Sequence, residues 1–278
     1  ILLIIFGNHK MSKIWNRLRE EASVVASKER ILSKIITEYV LERESFEDAL
    51  SWRLSTRLAK GSVPANDLKE LLLSSFVNSE IISQQVEADL YAVKERDPAC
   101  HDFISPFLYF KGFQALCAYR ASNYLWSVDR KDIALYLQSL ISIVYSVDIH
   151  PAAKIGKGIL LDHATGFVAG ETTVIEDNVS ILHEVTLGGT GKEGGDRHPK
   201  IRSGVLIGAG AKILGNVEVG EGARVGASSV VLTDVPPNVS VAGVPSRVLG
   251  EISSPNSPSL EMNHTLNSMR EYESGGGI

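Results

Sequence analysis

The sequence holds only two cysteines, Cys100 and Cys117, among 278 residues. Two thiols cannot build a disulfide framework, and no Cys-x-x-Cys pair is present to hold zinc or run redox exchange. That scarcity fits a reducing compartment. Positive charge is not in excess either: 28 Lys and Arg stand against 33 Asp and Glu, a formal net charge of −5. A nucleic-acid surface normally shows a basic patch, so that role is disfavoured. Long apolar runs are missing too. Ile1–Phe6 is too short for a membrane span, which needs roughly 20 apolar residues, and it lacks the basic start of a signal peptide. No transit peptide is visible, which leaves the cytoplasm as the default location. A helical pattern starts at Met11, and residues 1–10 are expected to be an upstream extension. What remains, 44% hydrophobic and 22% charged, is ordinary globular composition, long enough for one large domain or two ordinary ones.

From Met11 to about Ser146 the apolar residues recur at helical spacing. Ile31, Ile35, Ile36, Tyr39 and Val40 predict one helix face, and Leu68, Leu71, Leu72 and Phe76 another. Ser45, followed by Glu47 and Asp48, predicts an N-cap with acidic residues in the first turn. Gly61–Pro64, Asp97–Pro98 and Ser105–Pro106 punctuate six to eight helices.

The character changes at Asp148. Aliphatic residues now recur every six positions: Ile155 and Leu161, then Ala169, Ile175, Ile181 and Leu187, then Ile201, Ile207, Ile213, Val219, Val225 and Val231. Glycine follows many of them, and the fifth position of each unit is small or β-branched, as at Thr173, Val179, Ala211 and Ser229. Neither the helical nor the strand period produces this. A β-helix does: each unit forms one flat side of a triangular coil, and its aliphatic residue points inward. An ordinary parallel sheet would need crossover helices, for which there is no room. The expected class is α+β, an all-α N-terminal domain (11–147) followed by a parallel β-helix (148–250) and a flexible Ser/Pro/Asn-rich tail (251–278). The repeat slips twice. Phe167 and Val168 read as a two-residue corner bulge, and the gap from Leu187 to Ile201 is fourteen where twelve is expected, so Gly188–Pro199 reads as an ejected loop.

Chemistry gathers at these slips. His163 holds an outward position of its unit. Asp148 precedes it by fifteen residues, close to one coil of eighteen, so the two can stack as an Asp–His pair in which the carboxylate fixes the imidazole tautomer. The alternative is a structural pair at the domain junction. The loop adds Arg197, a natural fork for a carboxylate, and His198; the alternative there is a solvated charged loop. His183 follows His163 by twenty residues, one coil plus the bulge, so both should share a face. With His150 and His198 they are numerous enough for a zinc site, which is a rival reading.

Four strings then point to a family. Asp148-Ile-His-Pro-Ala-Ala-Lys-Ile-Gly-Lys-Gly, Leu161-Asp-His-Ala-Thr-Gly, Val185-Thr-Leu-Gly-Gly-Thr-Gly-Lys and Gly195-Asp-Arg-His-Pro-Lys closely resemble the serine O-acetyltransferases. So do Ile207-Gly-Ala-Gly-Ala-Lys-Ile-Leu-Gly-Asn and, in the helical half, Val93-Lys-Glu-Arg-Asp-Pro-Ala and Phe110-Lys-Gly-Phe-Gln-Ala-Leu. The resemblance implies a left-handed coil and acetyl transfer from acetyl-CoA to L-serine without a metal. It implies His163 as general base, oriented by Asp148. Asp97 and Asp162 would hold the serine ammonium, and Arg197 and His198 its carboxylate. Coenzyme A would lie near Gly189, Thr190, Ala209 and Arg224. It further implies trimers, often paired into hexamers, inhibition by cysteine, and insertion of the terminal Ile278 into O-acetylserine sulfhydrylase. Gly-Gly-Gly precedes Ile278 where bacterial relatives tend to carry an acidic residue among the glycines. Two rivals remain: the same scaffold acetylating a sugar or another hydroxylated acceptor, and a non-catalytic scaffold that only binds the sulfhydrylase.

Overall fold

The computed structural model describes residues 11–59, 63–191 and 194–266. Residues 1–10 and Ile278 therefore lie outside the described residues. Helices α1 (Met11–Lys28) and α2 (Arg30–Ile36) lead through a π-helical turn (Thr37–Leu41) to α3 (Phe46–Leu58), α4 (Ala65–Val77), α5 (Glu80–Arg96), α6 (Ile104–Leu108), α7 (Lys111–Ser127) and α8 (Lys131–Tyr145). Ser45 caps α3 as expected, its hydroxyl accepting from the Asp48 N–H at 3.1 Å. Leu68, Leu72 and Phe76 are buried as the spacing predicts. The first predicted face behaves differently: Ile36 and Val40 are buried, whereas Ile31 and Ile35 are exposed.

The coils begin at once after α8. Each of the first four comprises three short parallel strands on three faces: β1 (Val147–Ile149), β2 (Lys154–Ile155) and β3 (Leu160–Leu161) in the first, then β4 (Phe167–Ala169), β5 (Val174–Ile175) and β6 (Ser180–Ile181). The third holds β7 (Thr186–Gly188), β8 (Lys200–Ile201) and β9 (Leu206–Ile207), and the fourth β10 (Lys212–Leu214), β11 (Glu218–Val219) and β12 (Arg224–Val225). The last is β13 (Val230–Val231) and β14 (Val239–Ala242), against which β15 (Arg247–Glu251) runs antiparallel before a short α9 (Pro258–Glu261). Face 1 stacks β1, β4, β7, β10 and β13; face 2 stacks β2, β5, β8 and β11; face 3 stacks β3, β6, β9, β12 and β14. This is the left-handed hexapeptide β-helix, and every repeating aliphatic named above is buried inside it. Burial of that inward column, at roughly 1.5–3 kcal/mol per large side chain, is what holds the coils.

The register corrects three expectations. Leu160 pairs with Ser180 and Asp148 with Val168, so the first coil has two extra residues. Phe167 and Val168 are themselves strand β4, which puts the extra residues at the corner leading from face 3 to face 1, around His163. Second, Val174 pairs with Lys200, 26 residues on, whereas Lys200 pairs with Glu218, 18 residues on. Leu187 and Ile201 thus occupy consecutive sides, and the loop ejects eight residues instead of two. Third, the Ser/Pro/Asn-rich stretch after Gly250 packs on face 3 as far as it is described. Ser259 is fully buried, its N–H donating to the Gly204 carbonyl at 3.4 Å and its Oγ to the Asn178 carbonyl at 2.6 Å.

Candidate active site

His163 sits at the first corner from face 3 to face 1. Its φ of +55 and that of Ala164, +59, are left-handed, a conformation that L-residues avoid at roughly 1–2 kcal/mol each. The two extra residues of the coil are accommodated here, and the turn swings His163 outward until its side chain is 75% exposed. Left-handed residues recur at later corners, at Glu184 (φ +57) and Ser228 (φ +56), but the first has two in a row. Nε2 stands 3.7 Å from Asp162 Oδ2. On the coil above, His183 meets the ring edge-to-face with centroids 5.9 Å apart, as the twenty-residue spacing predicts.

A cavity of about 390 Å³ opens beside this corner. Leu160, Leu161, Asp162 and His163 line one wall, and Asp97, the residue capping the C-terminus of α5, lines the other. Asp97 Oδ1 accepts from the Ala99 N–H at 2.8 Å. The cavity depends on close packing of α7 onto β3: a Cβ on Gly112 would lie within 3.0 Å of the Leu161 carbonyl carbon, so only glycine fits. Lys111, next to it, donates to Thr165 Oγ1 across the rim. Two acids and an imidazole facing one cavity suit a cation beside a hydroxyl.

Asp148 does not stack on His163. It lies on β1 over Val168, on the same coil as His163, and accepts from Gln138 Nε2 at 2.7 Å. The expectation of stacked coils failed because the bulge makes the first coil twenty residues long instead of eighteen.

Arg197 and His198 lie at a different corner, from face 1 to face 2, where the ejected loop returns. Thr172 organises them: its Oγ1 accepts from the backbone N–H of Arg197 at 3.0 Å and of His198 at 3.1 Å, and lies 2.9 Å from His198 Nδ1. The Thr172 N–H also donates to Nδ1, at 3.2 Å. With Nδ1 accepting, the neutral ring carries its proton on Nε2, leaving that N–H free to donate. Burial (His198 is 7% exposed), then the charges of Arg197 and Lys200, push the His198 pKa below the ordinary histidine value and favour this neutral form. Arg197 Nη2 donates to Glu171 Oε2 at 2.8 Å, and this bond holds the Glu171 carboxyl below its usual range. Sequence reasoning missed Glu171 and Thr172. They precede Arg197 and His198 by 26 residues, a spacing visible only once the loop is counted correctly.

The four expected coenzyme residues also divide. Gly189 and Thr190 leave β7 at the loop corner, whereas Ala209 sits at the corner of His163 and His183: the Gly210 N–H donates to the His183 carbonyl at 2.9 Å, and Ser228 N–H to the Ala209 carbonyl at 2.7 Å. Arg224 is only 5% exposed on β12, and its Nη1 donates to the carbonyl of Thr265 in the C-terminal segment. Burial, then Arg224, lowers the His264 pKa, with Asp162 opposing.

Comparisons with known proteins agree on one family. Residues 14–118 match the model for the serine acetyltransferase N-terminal region, and residues 198–233 the bacterial transferase hexapeptide (six repeats). A serine acetyltransferase of Escherichia coli strain K12 is 48% identical over 266 residues, 95% of this chain and 97% of that protein. A serine acetyltransferase solved in complex with cysteine superposes with a TM-score of 0.89 at 48% identity, over 92% of this chain and 99% of that one. One from Brucella abortus strain S19, in complex with coenzyme A, gives 0.85 at 49% identity over 87% and 96%. With that identity across nearly the whole of both proteins, and the same helices and coils around His163, the chain belongs to the serine acetyltransferase family.

Proposed function

We propose a direct-transfer mechanism, with no acetyl-enzyme, for the reaction, the transfer of acetyl from acetyl-CoA to the serine hydroxyl. His163 removes the proton as serine Oγ attacks the thioester carbonyl carbon, and the tetrahedral adduct collapses with cleavage of the C–S bond. The imidazolium then returns its proton to the departing thiolate, giving O-acetylserine and free coenzyme A. Asp97 and Asp162 hold the serine ammonium; the shared cavity of Asp97, Asp162 and His163 is the observation that carries this reading. Asp148 orients the base once its carboxylate, which accepts from Gln138 in the free chain, turns to the imidazole.

The carboxylate is held by Arg197 and by Nε2–H of His198 from a neighbouring chain. Within one chain a six-residue side of the β-helix separates the two corners, roughly 20 Å at 3.3 Å per residue, far more than a serine molecule spans. A closed ring of three prisms lets the His163 corner of one meet the loop corner of the next, a heterologous contact that repeats identically around a three-fold axis. Coenzyme A then lies in the seam, along His183 and Ala209 of one chain and Gly189 and Thr190 of the other, with Arg224 available once the tail moves. Exposed Ile31 and Ile35 give the helical half (11–147) an apolar surface for pairing trimers into hexamers. L-cysteine, sharing the zwitterion of serine, competes at the same site, and Ile278 serves as the anchor for O-acetylserine sulfhydrylase. Among the described residues no helix is long and apolar enough to cross a membrane, and a cytoplasmic location suits the substrates.

The test is thiol release from acetyl-CoA with L-serine, homoserine or a galactoside as acceptor. Serine is the preferred acceptor under this reading, and His163→Ala lowers turnover roughly 100-fold or more. Undiminished turnover in that variant would remove His163 from the mechanism.

A further inference from the structure

We infer that Arg96 is a positioning residue for Asp97 and thereby sets the affinity for the serine ammonium; this rests on the role given to Asp97 above. Arg96 is the last residue of α5 and only 6% exposed, and its guanidinium crosses from the helical half to the β-helix. Nη1 donates to Ser180 Oγ at 3.2 Å and Nη2 to Asn178 Oδ1 at 3.3 Å. Both acceptors are held in turn: Ser180 Oγ donates to the Ser259 carbonyl at 2.8 Å, and the Asn178 carbonyl accepts from Ser259 Oγ at 2.6 Å. Such a fork needs two acceptors at fixed spacing, which only an ordered partner supplies.

The clamp closes beside the cavity. Ser180 pairs with Leu160, two residues before Asp162 on the same strand run. Arg96 therefore fixes the end of α5 against the strand pair that carries Asp162. Asp97 follows as the capping residue, in extended backbone (φ −90, ψ 109), tied to its own helix by its N–H to the Val93 carbonyl at 3.0 Å. Among the described residues no hydrogen bond joins the Asp97 side chain to the β-helix. The spacing of the two acids that receive one ammonium is set by the neighbouring guanidinium, and a charge-pair geometry is sensitive to shifts of about an ångström.

The experiment compares Arg96→Gln, Arg96→Lys and Asn178→Gly with the full-length protein, using L-serine and 3-hydroxypropionate, which lacks the amino group. Asn178 has a φ of +59, so glycine keeps the backbone while deleting the acceptor. Arg96→Gln and Asn178→Gly are each expected to raise the serine KM roughly tenfold. Expected alongside are kcat within about threefold, an unchanged acetyl-CoA KM, and a matching loss of preference for serine over 3-hydroxypropionate. Arg96→Lys, which keeps a charge but not the fork, recovers part of the loss. Equal losses on both acceptors, or serine KM values that do not move in Asn178→Gly, would overturn the inference. Asp97→Asn separates it from the underlying reading: if that variant leaves serine KM unchanged, the role of Asp97 itself fails, whereas a raised KM there with normal Arg96 and Asn178 variants sinks only the clamp.

Discussion

A Cβ on Gly170 would lie within 2.7 Å of three ring atoms of His198, Nε2, Cδ2 and Cε1, so this glycine holds open the slot that the imidazole fills. Thr172 grips the ring from the Nδ1 side at 2.9 Å, and together they fix the position of the ring. Gly170→Ala should push the ring out of its slot. The expected result is a serine KM raised by roughly tenfold or more, the worth of one hydrogen bond to a carboxylate, with the acetyl-CoA KM unchanged. Steady-state kinetics checks this, and a normal serine KM would detach His198 from the substrate.

The helical half is bolted to the first coil by a buried ion pair. Arg120 Nη2 and Asp89 Oδ2 are 2.6 Å apart with side chains 2% and 0% exposed. Asp89 Oδ1 accepts from the Ile159 N–H at 2.9 Å, and Arg120 Nη2 donates to the Gly156 carbonyl at 2.7 Å. Removing one partner strands the other charge in the interior, so Asp89→Asn is expected to cost about 3–5 kcal/mol of stability. Denaturant unfolding measures it, and a cost under about 1 kcal/mol, the range of an exposed pair, would contradict the assignment.

Burial lowers the pKa of His150, His198 and His264 from the ordinary value of 6.5. In that case the unfolded chain binds protons at a pH where the folded chain does not. The associated stability is fully present above about pH 6.5 and is lost as pH falls towards the lowered folded values. Thermal midpoints should therefore drop between pH 7 and 5, and His198→Asn should flatten part of that slope. An unchanged slope in the variant would exclude His198 as a contributor.

Arg224 is engaged by the Thr265 carbonyl, so under the coenzyme role proposed for it the tail and a coenzyme phosphate compete for one guanidinium. Deleting residues 263–278 removes that competitor. The KM for acetyl-CoA is expected to fall severalfold, by the fraction of time the tail occupies the site, with serine kinetics unaffected. A rise in acetyl-CoA KM would mean that the tail helps to bind coenzyme.

The six-residue period made the β-helix legible from sequence because each coil buries one aliphatic per side, and Ile175 through Val231 all point inward. The edge-to-face stack of His163 on His183 followed from simple counting. Counting failed where residues left the repeat. Nothing local distinguishes an eight-residue ejection from a skipped unit plus two, which concealed the approach of Thr172 to His198. The Asp148 stack was misplaced because a bulge of two residues moves every later partner. In the sequence Gly112 is only one letter of a motif, since its meaning, room for the Leu161 carbonyl, exists only once α7 meets β3. The clamp of Arg96 on Asn178 and Ser180 joins residues over 80 positions apart, and no periodicity announces it.

The central claim is that one active site takes His163 from one chain and Arg197 with His198 from its neighbour. Co-expressing differently tagged His163→Ala and Arg197→Ala chains, each nearly inactive alone, tests it directly. In randomly mixed trimers about a quarter of the seams join two unmutated half-sites. The account predicts that the unfractionated population regains roughly a quarter of wild-type serine-dependent thiol release, and trimers purified through both tags, which have one intact seam in three, about a third. Mixed trimers as inactive as either parent would contradict it.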